Sequence, residues 1–63
     1  MDIKEVKRNL GKTVVFGGKD YIFTACVLRR SNAGELFYQA ELQDTKQNNS
    51  ILIARLSEVG AIV

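Results

Sequence analysis

The sequence predicts a mainly β domain, a curled antiparallel meander of four strands with a short closing strand, preceded by one short helix. Three observations carry this prediction. β-branched and aromatic stretches recur between clusters of Gly, Asn, Ser and Asp. The cleanest stretch, Leu36 to Asp44, alternates apolar and polar residues along its length. Helical periodicity occurs only ahead of Gly11.

Asp2 followed by Glu5 forms a capping-box pattern, in which the Asp side chain accepts from an early helical N–H and the Glu reaches back. Ile3, Val6 and Leu10 then fall at i, i+3 and i+7, one apolar stripe on a helix over residues 2–10. Gly11 ends it, because glycine takes the left-handed conformation without a Cβ clash. So short a helix does not persist in water, and the stripe needs a surface to pack on.

Thr13 to Phe16 is the first strand, Gly17-Gly18 with Lys19-Asp20 a tight turn, and Tyr21 to Arg30 a long second strand. Ser31 to Glu35 is the next turn. In the third strand Leu36, Tyr38, Ala40 and Leu42 share the core face, and Phe37, Gln39, Glu41 and Gln43 share the other. Thr45 to Asn49 turns the chain into a fourth strand, Ser50 to Leu56. Leu56 to Val59 fits one helical or 3₁₀ turn released by Gly60, which leaves Ala61-Ile62-Val63 as the closing strand.

The second strand is apolar on both sides, with Tyr21, Phe23, Ala25 and Val27 on one and Ile22, Cys26 and Leu28 on the other. A flat sheet under one helix buries a single face, whereas a long strand bending across a small barrel buries parts of both. The order of meander, helical turn and closing strand over residues 12–63 resembles SH3-like small barrels. That resemblance rests on element order and implies a curled five-stranded barrel. The acidic and aromatic residues that line the peptide groove of true SH3 domains have no clear counterpart here. A fold of this type does not bring a function with it.

With 63 residues the chain makes one domain, residues 1–63, and buries only about 60% of the surface its unfolded form exposes. Small scaffolds make up the deficit with disulfides, a metal, self-association or close packing. Cys26 is the single cysteine and histidine is absent, which excludes an internal disulfide and leaves too few donors for a zinc shell. A hydrophobic share of 46% and a charged share of 25% are ordinary for a folded protein. No apolar run approaches a membrane span, the charged N-terminus does not read as a secretory signal, and a lone thiol fits a reducing, cytoplasmic setting.

Catalysis needs a base, a nucleophile or a metal. Without histidine neither a Ser-His nor a Cys-His pair can form, and Cys26, amid Ala25, Val27 and Leu28, reads as an inert core thiol. Glu35, Glu41, Asp44 and Glu58 fall in no catalytic motif and read as solvated surface charge. Gly11-Lys12-Thr13 lacks the upstream glycine and the following helix of a phosphate loop. The expectation is a non-enzymatic module with no cofactor, metal or small-molecule substrate.

Net charge is +2, unevenly spread. Residues 1–30 carry seven basic against three acidic groups, and residues 31–63 carry two against four. Lys4, Lys7, Arg8, Lys12, Arg29 and Arg30, with Phe37 as a stacking ring, form the candidate nucleic-acid surface. The competing reading for Phe37 is packing beneath the N-terminal helix. A protein partner or self-association ranks ahead of nucleic acid, because a strand edge offers unpaired backbone groups to another chain. Ala61, Ile62 and Val63 are the candidate edge, closing on the chain's own first strand or adding to a partner's sheet.

Overall fold

A computed structural model describes residues 1–62; Val63, the last residue of the expected closing strand, lies outside them. The capping box forms as the sequence predicts, with the Asp2 carboxylate accepting from the Lys4 N–H and the Glu5 carboxylate accepting from the Asp2 N–H. Winding differs from the expected continuous helix. Ile3–Glu5 is a 3₁₀ turn, and only Val6–Asn9 (α1) is α-helical. The tighter first turn and the extended Leu10 break the apolar stripe, so Val6 alone enters the core while Ile3 and Leu10 stay exposed. Met1 packs against the core in their place, its amino group donating to the carbonyls of Leu56 and Val59.

Thr13–Phe16 (β1), Lys19–Arg30 (β2), Leu36–Asp44 (β3), Ser50–Arg55 (β4) and Gly60–Ala61 (β5) form one antiparallel sheet in the order β4-β3-β2-β1-β5. The mainly β fold with one N-terminal helix is as expected. The ring does not close, because β4 and β5 are the two outer strands and do not pair with each other among the described residues. Between them lies a 3₁₀ turn, Leu56–Glu58. Gly17 and Gly18 turn β1 into β2 with φ of 58° and 75°. Both central residues of such a two-residue hairpin need positive φ for the turn to match the twist of its strands.

The register of β2 against β3 resolves its two apolar faces. Phe23 pairs with Leu42 and Ala25 with Glu41, so Thr24 is an extra residue without an opposite number. Its hydroxyl instead bonds the carbonyl and the carboxylate of Glu41. The bulge shifts the alternation by one position. Tyr21, Phe23, Cys26 and Leu28 therefore share the inner face, while Ile22, Ala25, Val27 and Arg29 share the outer one. A curled barrel is not needed to account for this strand.

The core lies on the inner face, where Val6 meets Val14, Phe23, Ala40, Leu42, Ala54, Leu56 and Val59. Leu42 sits between Phe23 on β2 and Leu52 on β4. Leu36 and Tyr38, expected in the core, are exposed. β4 ends opposite Gln39 and β1 ends opposite Ile22, so neither neighbour reaches that end of the β2–β3 hairpin.

Candidate functional site

Among the described residues β4 has a paired neighbour on one side only, which makes it an edge strand with a free row of N–H and C=O groups. Three consecutive residues of it are large, apolar and exposed: Ile51 at 52%, Leu52 at 36% and Ile53 at 48%. By alternation from Ala54, which is buried in the core, Leu52 leans to the inner face and Ile51 and Ile53 to the outer. Edges in soluble proteins are commonly blunted by lysine, proline, a bulge or brevity. None applies to β4: Ser50-Ile51-Leu52-Ile53-Ala54-Arg55 contains neither lysine nor proline, and its register against β3 runs without a break from Asp44 to Gln39. The opposite edge, β5, is only two residues long.

The C-terminal candidate edge is partly consumed. Ala61 pairs with Val14 of β1, so at this residue the chain closes on its own first strand. Ile62 is exposed beyond it, and Val63 lies outside the described residues.

The candidate basic residues do not form one stripe. Lys4, Lys7 and Arg8 are exposed on the helical segment, whose Val6 packs on the inner face, and Lys12 is exposed in the following loop. Arg29 and Phe37 are register partners on the outer face, whereas Arg30 pairs with Leu36 on the inner. Arg55 joins the first two, its guanidinium 4.5 Å from the centre of the Phe37 ring. The Arg29 Nε donates to the Gln39 side chain between them. Phe37 is half-buried and borders an open hollow of about 250 Å³ that also touches Met1, Asp2 and Ile3. The N-terminal segment thus reaches the Phe37 hollow through Met1, Asp2 and Ile3, ahead of α1. Sequence reading missed Arg55, because its approach to Phe37 depends on the β3–β4 register that sets it opposite Gln39.

Asp44 corrects the expectation of a solvated carboxylate. It is 5% exposed, and its Oδ2 accepts from the Lys19 Nζ at 2.9 Å while Oδ1 accepts from the Lys46 N–H at 3.0 Å. The bond from Lys19 holds the Asp44 carboxyl below the usual carboxylate range, and Asp44 in turn raises Lys19. A signal for this was present in the sequence. Residue 44 is the next inward position after Ala40 and Leu42, so its side chain had to meet the core side of the sheet.

Cys26 sits half-buried on the inner face opposite Ala40, and burial pushes its thiol up. Among the described residues no three His, Cys, Asp or Glu side chains converge as metal ligands, and no helix is long and apolar enough to cross a membrane. No family model, curated protein or solved structure matches the chain.

Proposed function

We propose that this chain is a non-enzymatic binding module that acts on protein through an exposed sheet edge. The observation that carries the reading is the Ile51-Leu52-Ile53 run on the unprotected edge of β4. Backbone groups on such an edge supply affinity by extending the sheet, and the alternating side chains supply selectivity. The strand order and the 3₁₀ turn ahead of β5 support an SH3-like topology as its framework. The absence of histidine supports a role without acid–base or nucleophilic chemistry. Cytoplasmic action fits the lone thiol.

A second reading has one specific observation in its favour. Arg29, Phe37 and Arg55 come together on the outer face, a combination suited to a phosphate and a stacked base. It ranks lower because Lys4, Lys7, Arg8 and Lys12 lie on the helical segment and its loop, Arg30 lies on the inner face, Arg55 already occupies one side of the ring, and Glu41 shares the outer face.

Affinity capture with nuclease treatment separates the two. Capture of a specific protein should survive nuclease, be lost with Ile51→Lys/Ile53→Lys, and persist with Lys4→Gln/Lys7→Gln/Arg8→Gln. Recovery that disappears with nuclease would favour the second reading.

A further inference from the structure

We propose that the partner of β4 is β4 of a second copy of this chain, paired antiparallel about a two-fold axis at Leu52; this rests on the reading of β4 as a binding edge.

Self-pairing across a two-fold normal to the sheet keeps inner faces with inner faces, so only residues of the same parity can oppose each other. With Leu52 on the axis, Ile51 opposes Ile53 of the partner copy and Ile53 opposes its Ile51, while Ser50 opposes Ala54. Four isoleucines meet on the outer face and two leucines on the inner. β-branched cross-strand pairs of this kind stabilise antiparallel sheets. Arg55 falls just past Ser50, where the partner's strand begins, so no like charges meet. The two neighbouring registers are worse. An axis at Ile53 sets Arg55 over Ile51, and an axis at Ile51 leaves Ile53 beyond the end of the partner's strand. The strand is therefore self-complementary in one register, which a surface shaped for an unrelated partner has no reason to be.

The rest of the molecule points the same way. Eight hydrophobic residues are buried among those described, and ten large ones remain exposed. A domain of this length with a single cysteine and no histidine gains from covering part of that surplus, and joining two edges extends the sheet without a break. It also removes from solvent the longer, apolar edge, whose one charge is the terminal Arg55.

Sedimentation equilibrium over a concentration series is the test. The wild type should move toward twice the monomer mass, and Ile51→Lys/Ile53→Lys should stay monomeric with unchanged far-UV circular dichroism, since this register sets lysine against lysine. Mixing that variant with Ile51→Glu/Ile53→Glu should restore the dimer as a mixed pair, a recovery that misfolding could not produce. A wild type that remains monomeric at millimolar concentration, or a mixture that fails to pair, would overturn the proposal. If nuclease-resistant capture of another protein were still lost with the lysine variant, the edge-binding reading would survive that failure; if capture were unaffected, both would fall.

Discussion

The Lys19 Nζ donates to the Asp44 Oδ2 at 2.9 Å, joining the start of β2 to the last residue of β3 across the inner face. Asp44 also accepts from the Lys46 N–H, and its carbonyl accepts from the Gln47 N–H, so one residue anchors the turn that leads into β4. Lys19 lies 5.9 Å from the Tyr21 ring centre as well.

The pair should make stability depend on pH in two windows. Asp44 titrates below its unfolded value, so its contribution is present above about pH 4 and lost as pH falls through the lowered folded value. Lys19 titrates above its unfolded value, so its contribution holds below about pH 10 and is lost as pH rises through the raised one. The melting temperature of Lys19→Gln should lie below that of the wild type at neutral pH and converge on it at both extremes. A gap independent of pH would contradict the assignment. The effect should be modest, because the Lys19 side chain is half exposed.

Leu42 is fully buried between Phe23 and Leu52, so Leu42→Ala should cost about 2–5 kcal/mol in chemical denaturation. Gln43→Ala, on the outer face, should stay within about 0.5 kcal/mol. A reversal of that order would place the β3 register one residue off.

The sheet was legible in the sequence because its signals are local. Gly17-Gly18 dictates a tight hairpin, and strict alternation places Ala40 and Leu42 inward. What was not legible depends on contacts between elements. Thr24 bulges beside Glu41, to which its hydroxyl bonds across the sheet, and no pattern within β2 announces that. Leu36 and Tyr38 continue the inward phase correctly, yet β1 and β4 are too short to leave cover over them. The apolar edge was visible as a run, Ile51 to Ile53, but its exposure followed only from β4 taking the outside of the sheet.

Cys26 faces the core while remaining half-buried, and its thiol is pushed up. Its reaction with a thiol reagent should be slow in the native protein, quicken on unfolding, and accelerate with pH beyond the range of an ordinary cysteine. Fast stoichiometric labelling at neutral pH would rule out this environment.

Binding to single-stranded oligonucleotides should be weaker than about 10 μM near 0.15 M salt, because the cations are split between the two faces of the sheet. Whatever binding occurs should depend on Arg29 and Arg55 more than on Lys4, Lys7 and Arg8, as fluorescence anisotropy with Arg29→Gln/Arg55→Gln would reveal. A sub-micromolar, steeply salt-dependent complex would reverse the ranking of the two functions.

Residue-resolved amide exchange, compared between dilute and concentrated solution, tests the role of β4 most directly. Exchange should slow with concentration at amides within Ser50–Arg55 while the interior pairs of β2 and β3 keep their rates. Rates in β4 that stay constant up to millimolar protein, or protection that appears instead around Arg29 and Phe37, would contradict it.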